Sequence, residues 1–268
     1  MAKDYAEDFT TQELIACFIA HQVKDGERVA CGAGLHVPRA GIILAHLLYG
    51  PNIKLYAAMV YTNLIKEQVI DPVYTVTDWR FAGRFAEAYA IHNEFWENIR
   101  YITDIFVVGA IQIDPFGNAN LIGVGKDYNR LAFRGPGAVG TPTLGDNVDR
   151  YFLYLVSHDK RTLVEKCDFI TAVGWGTGEK DYRDKLGLPG RGPQYCVTSL
   201  AIMDFDEETK RMRLKSVHPG VAVDEVVENT GFELIIPDKV PETERPTREE
   251  IECLRTRVDT KGMLRPEK

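Results

Sequence analysis

VVGAIQIDPFGNANLIGVGKDYNRLAFRGPGAVG, from Val107 to Gly140, is the stretch whose reading decides the fold. It grows out of an unbroken apolar run, Ile105 to Ala110, bounded by turn formers, which is the pattern of a strand buried on both faces. The end of that run delivers the chain into Gln112, Asp114, Gly117, Asn118 and Asn120, and a second glycine cluster follows at Gly135, Gly137 and Gly140. In open α/β sheets ligands bind beyond the carboxyl ends of strands, where loops diverge. Backbone without Cβ atoms permits positive φ or close approach to a ligand. Asp114-Pro115-Phe116-Gly117-Asn118 also reads as a plain turn between two strands. Both readings stay open at this point.

Working outward, Thr10-Thr11-Gln12-Glu13 is a capping box, and Leu14, Ile15, Phe18, Ile19 and Val23 share one helical face until Asp25-Gly26. Arg28 to Ala33 reads as a strand entering Gly32-Ala33-Gly34 and a helix from Arg39 to Tyr49. This glycine pair lacks the third glycine of a dinucleotide loop and the Lys-Ser/Thr of a P-loop, so tight strand-to-helix packing accounts for it when it is taken alone. A strand over Ile53 to Val60 and an aromatic-rich helix over Asp78 to Arg100 follow, with Arg80, Arg84, Glu87 and Glu94 either lining a pocket or facing solvent.

Past the central stretch, Tyr151 to Val156, Asp168 to Gly174 and Tyr195 to Ala201 are strand candidates. Gly174 to Pro193 reads as a long ordered loop, and Ile202 to Asp206 with Met212 to Val217 as a hairpin. A short helix is expected near Asp224 to Asn229, and a second capping box, Thr247-x-x-Glu250, opens a last helix ending near Arg257. No repeat or low-complexity linker divides the chain, so one α/β domain over residues 1–268 is expected.

With 268 residues and 45% hydrophobic content the chain can bury a large core. A net charge of −7 argues against a nucleic-acid surface, which needs a concentrated Lys and Arg excess. The start, MAKDYAEDFTTQ, is acidic where a secretory signal is basic and then apolar, and no apolar run is long enough to span a bilayer. A soluble cytoplasmic protein without membrane or nucleic-acid partners is expected. The five cysteines are scattered without C-x-x-C pairing, as in a reducing compartment, and the six histidines are equally dispersed, so no metal site is expected.

Several segments together resemble one family. They are Gly109-Ala110-x-Gln112-x-Asp114-Pro115-x-Gly117-Asn118-x-Asn120, Phe133-x-Gly135-x-Gly137-Ala138, Leu186-Gly187-Leu188-Pro189-Gly190 with Gly192-Pro193-Gln194, Phe205-Asp206 with Arg211-Met212, and Glu228-Asn229-Thr230-Gly231-Phe232. In this order they resemble the β-type subunit of family I CoA-transferases, of the glutaconate CoA-transferase kind. The resemblance implies an open, mostly parallel α/β sheet flanked by helices, and a homologous α-type partner in an α2β2 assembly. It also implies an active site between the subunits and an acyl-CoA substrate. Coenzyme A then enters as part of that substrate, and no other cofactor is expected.

The family attacks the thioester with a β-subunit glutamate, and the resemblance sets that glutamate at or near Ala58. No carboxylate occurs between Pro51 and Lys66, nor does the cysteine of subunits resembling methylglutaconyl-CoA decarboxylase. His218-Pro219-Gly220 and the Phe81-x-Gly83-Arg84 segment resemble the steroid-ring-opening acyl-CoA hydrolase branch, in which the working carboxylate is implied to sit on the α subunit. The expected reaction is therefore hydrolytic carbon–carbon cleavage of a cyclic β-keto acyl-CoA. True CoA transfer, decarboxylation and a non-catalytic partner role are the alternatives. His218 is the candidate acid or base. Gly32, Gly34, Arg84, Gln112, Asp114, Asn118, Asn120, Gly135, Gly137 and Ala138 are the candidates for holding substrate or CoA.

Overall fold

The computed structural model describes residues 3–32, 34–57, 92–138 and 140–265. Ala58, Arg80, Arg84 and Glu87 lie outside the described residues. The architecture is α/β, with mostly parallel strands and flanking helices. The chain forms two compact units, one of residues 1–107 with 244–268 and one of residues 108–243.

The first unit opens with α1 (Thr11–Gln22), whose capping box is present as read: the Thr10 hydroxyl accepts from the Glu13 N–H, and the Glu13 carboxylate accepts from the Thr10 N–H. β1 (Arg28–Cys31) ends earlier than expected. The Gly32 N–H still donates to the Val107 carbonyl at 2.9 Å, and Gly34 then turns the chain at φ +74°. α2 (His36–Leu48) consequently starts three residues before the expected Arg39. Pro38 does not prevent this, because first-turn N–H groups have no intrahelical partner. Gly41 lets α2 press on α1, since a Cβ there would lie 2.4 Å from the Ala16 carbonyl oxygen.

β2 (Lys54–Ala57) is followed, beyond the undescribed segment, by α3 (His92–Ile102), the described part of the expected aromatic helix. β3 (Ile105–Gly109) then crosses from the first unit into the second. β1 lies between β2 and β3 and is parallel to both, with Val29 opposite Leu55 on one side and Ile105 on the other. All three of those side chains are fully buried, as the continuous apolar run implied.

In the second unit, β4 (Gln112–Ile113) and β5 (Ala119–Asn120) form an antiparallel hairpin, so Asp114 to Asn118 is the plain turn. Gly117 closes it at φ +71°. β6 (Gly123–Val124) pairs with β7 (Phe133–Arg134), and α4 (Thr141–Asn147) follows. β8 (Arg150–Tyr154) runs parallel to β9 (Pro193–Val197), with the single helical turn α5 (Tyr182–Lys185) in the loop between them. β10 (Ala201–Phe205) and β11 (Met212–Val217) form the expected antiparallel hairpin, and α6 (Val223–Asn229) comes next.

One expected strand is absent. Asp168 to Gly174 makes only an isolated bridge, Ala172 to Ala119. The N–H groups of Thr171 and Ala172 share the one Ala119 carbonyl, while those at its two ends leave the ladder, that of Asp168 for the Gln112 side chain and that of Gly174 for the Asn118 side chain. Backbone donors satisfied by side-chain amides need no ladder.

The chain then returns to the first unit. α7 (Arg248–Cys253) has the second capping box, Thr247 with Glu250, and runs into a π-helical turn at Leu254–Val258. Glu250 is fully buried. One carboxylate oxygen meets the His21 ring nitrogen at 2.5 Å and accepts from the Tyr49 hydroxyl at 2.8 Å, while the other accepts from the Thr247 N–H and hydroxyl.

Candidate functional site

The polar residues beyond β3 form one buried network in the second unit. Asp114 accepts from the N–H groups of Phe116 and Asn118 on one oxygen and from the Asn118 side-chain amide on the other. Burial outweighs these three donors and lifts its carboxyl from the usual carboxylate range to about 6. The native state therefore holds this proton more tightly than the unfolded chain. The resulting contribution to stability is complete below about pH 4 and fades as pH rises through 6.

Asn118 also donates to the Gly176 carbonyl and accepts from the Gly174 N–H, so it ties the hairpin to the segment after β8. Asn120 donates to Gln112 at 2.6 Å and to the Gly123 carbonyl at 2.8 Å, and accepts from the Ile122 and Gly123 N–H groups. Gln112 donates to Asp168, an exposed carboxylate that also accepts from the Gly125 N–H. Both amide protons of Asn118 and of Asn120 thus have protein acceptors, so these side chains hold loops in place and have no free N–H for a substrate. Asp168 is the member that sequence reading missed. It lies 56 residues from its partner Gln112, a separation no local motif spans.

The Gly135 to Ala138 loop departs from expectation in one respect. Among these candidates for holding substrate, Gly135 and Gly137 have their N–H groups engaged within the chain, donating to the Ile122 carbonyl at 2.8 Å and to the Leu121 carbonyl at 2.9 Å. The Ala138 N–H has no such acceptor among the described residues. Gly32 and Gly34 belong to the first unit, with the Gly32 N–H engaged by Val107. Arg84 lies outside the described residues.

His218, the candidate acid or base, lies in the core of the second unit. It is 2% exposed, with Nδ1 3.1 Å from the Thr243 hydroxyl and Nε2 2.9 Å from the Thr198 carbonyl oxygen. A carbonyl only accepts, so Nε2 carries the proton and Nδ1 accepts from Thr243. Burial lowers the ring's pKa from its ordinary value. This is the structural histidine that usually precedes Pro-Gly, held neutral in the core. His218→Gln is expected to lower the melting temperature while leaving the pH profile of turnover unchanged. A lost pH limb at preserved folding would return His218 to the chemistry.

His158 repeats the pattern between the Thr198 and Thr230 hydroxyls, with burial pushing its pKa to about 4. All five cysteines are buried and unpaired. Among the described residues no group of three or more His, Cys, Asp or Glu gathers to hold a metal ion, and no helix is long and apolar enough to cross a membrane.

Against known proteins, the model of the coenzyme A transferase family matches residues 13–229. The B subunit of glutaconate CoA-transferase from Acidaminococcus fermentans is 34% identical, over 96% of this chain and 94% of that one. The cholesterol ring-cleaving hydrolase IpdB subunit of Mycobacterium bovis is 26% identical, over 95% of this chain and 96% of that one. The crystal structure of glutaconate coenzyme A-transferase from A. fermentans superposes with a TM-score of 0.84 at 30% identity, covering 99% of this chain and 100% of that one.

Proposed function

Because this chain belongs to the coenzyme A transferase family, we propose that it is the β-type subunit of a heteromeric enzyme that hydrolytically opens a cyclic β-keto acyl-CoA. One observation carries the reaction: no Asp or Glu lies between Pro51 and Lys66, the segment in which the resemblance sets a transferase's attacking glutamate, at or near Ala58. A methyl group cannot capture an acyl group. The likeness to a ring-cleaving hydrolase subunit over 95% of the chain supports a reaction that needs no such capture.

The chemistry is addition of water to the ring ketone followed by cleavage of the bond between that carbon and the carbon α to the thioester. The bonding pair moves to the α carbon and is delocalised as an enolate onto the thioester oxygen. Reprotonation leaves a new carboxylate and an intact CoA thioester. A homologous α-type subunit, in an α2β2 assembly, supplies the carboxylate that takes the proton from water and returns it. The Ala138 N–H is the donor this chain offers to the developing enolate oxygen. Gln112, Asp114, Asn118 and Asn120 position the loops around the substrate, and CoA carried by the substrate is the only cofactor required.

In ¹⁸O-labelled water the assembled enzyme is expected to place one label in the new carboxylate, with CoA still esterified and no borohydride-sensitive adduct on this chain. Transfer of CoA to a free acid, with such an adduct, would overturn hydrolysis. It would establish the second reading, ordinary CoA transfer, which the 34% identity to a transferase subunit favours.

A further inference from the structure

We propose that Asn120 is a positioning residue for the Gly135 to Ala138 loop and sets where the Ala138 N–H stands; its role in turnover rests on the acyl-CoA reading above. Asn120 is fully buried and makes four hydrogen bonds. Three of them clamp the next turn: its side-chain oxygen accepts from the Ile122 N–H at 2.8 Å and the Gly123 N–H at 3.4 Å, and its amide donates to the Gly123 carbonyl at 2.8 Å. The fourth anchors the amide to Gln112, which Asp168 holds in turn through its carboxylate and its own N–H. The register of residues 121–123 is thereby fixed from inside the core.

That turn grips the glycine loop backbone to backbone. The Leu121 carbonyl accepts from the Gly137 N–H and the Ile122 carbonyl from the Gly135 N–H. A Cβ on Gly135 would stand 2.3 Å from the Leu121 oxygen, and one on Gly123 would stand 2.4 Å from the Phe133 oxygen. The two strips are joined backbone to backbone, with the Leu131 and Ile111 side chains packed beside them, so displacement of one is passed to the other. Beyond Gly137, the Ala138 carbonyl accepts from the Thr141 N–H at 2.9 Å, where α4 begins. Ala138 is thus held on both sides, and the first of its supports leads back to Asn120. Misplacement of a catalytic donor by about 1 Å costs on the order of a hundredfold in rate.

The test compares Asn120→Ala with Thr230→Val, a cut of similar kind into the buried His158 cluster of the same unit, each in the complex with the partner subunit. Amide hydrogen exchange over residues 133–138 and steady-state kinetics on the acyl-CoA are measured together. Asn120→Ala is expected to speed exchange in that peptide at least about tenfold. It should also lower kcat by roughly tenfold to a hundredfold, with KM changed less than about threefold. Thr230→Val should lose comparable thermal stability and change neither. Gln112→Ala, which removes only the anchor, should show the same pattern at smaller size and serves if Asn120→Ala does not fold. Unchanged exchange over 133–138, or a kcat loss no larger than that of Thr230→Val, overturns the proposal. If the wild-type complex turns over no thioester, the acyl-CoA reading has failed, and the exchange measurement still decides whether Asn120 positions the loop.

Discussion

Under the hydrolytic reading proposed above, the Ala58→Glu substitution is expected to give the assembled enzyme a power of acyl capture that the wild-type chain does not show. A carboxylate presented to a bound thioester attacks its carbonyl and expels CoA thiolate, leaving a mixed anhydride; the thiolate then attacks the glutamyl carbonyl, releasing the free acid and leaving CoA esterified to the enzyme. Mass spectrometry of this chain after incubation with acyl-CoA should show a CoA adduct approaching about one per chain in the variant and none in the wild type, and borohydride should convert it to the stable alcohol. Ring opening should fall in the same variant, because captured substrate is withdrawn from hydrolysis. An adduct on wild-type chains would show that another side chain already performs capture, and the hydrolytic reading would be lost.

Glu250→Ala is expected to cost about 3–5 kcal/mol, because it strips the acceptor from a fully buried cluster. His21, Tyr49 and two groups of Thr247 all direct polar atoms at this one carboxylate. Burial alone would raise its pKa, but the contacts from His21, Thr247 and Tyr49 prevail and hold it at about 2. The sign follows from that depression. The stabilising contribution is complete above the unfolded value near 4.5 and disappears as pH falls toward 2. Urea unfolding of wild type and variant should therefore differ most above pH 5 and converge in acid, with the contribution of Asp114 common to both. A constant difference down to pH 2 would assign the loss to packing alone.

Much of the fold was legible wherever a local pattern carries its own physics. Both capping boxes are present because Thr and Glu three residues apart satisfy each other's donors without help from elsewhere. Within the run Ile105 to Ala110, Ile105–Gly109 is a strand, buried through Val108, and Asp114 to Asn118 is a turn because Pro, Gly and Asn favour no other structure there. Asp168 to Gly174 misled because apolar content and β-propensity do not disclose that side-chain amides of Gln112 and Asn118 take the backbone donors at its two ends. The partners of His218 were hidden for the same reason, since Thr198 and Thr243 lie 20 and 25 residues away. The glycines of the 135–137 loop were found correctly as points of close backbone approach. What approaches them is the chain's own turn at Leu121 and Ile122, which no spacing rule identifies.

The first unit is built from both ends of the chain. Its N-terminal part is joined to the returning segment by the Tyr5 to Thr247 bridge, by the Thr10 hydroxyl on the Leu264 carbonyl, and by Arg255 on Glu13. During synthesis, residues 108–243 leave the ribosome as an uninterrupted stretch and can close their contacts at once. The opening helix and strands must instead wait for residues 244–265 to be translated before their sequence-distant contacts form. Until then the buried Glu13 has its capping-box partner Thr10 but lacks Arg255, which makes the nascent N-terminal region a natural client for chaperones.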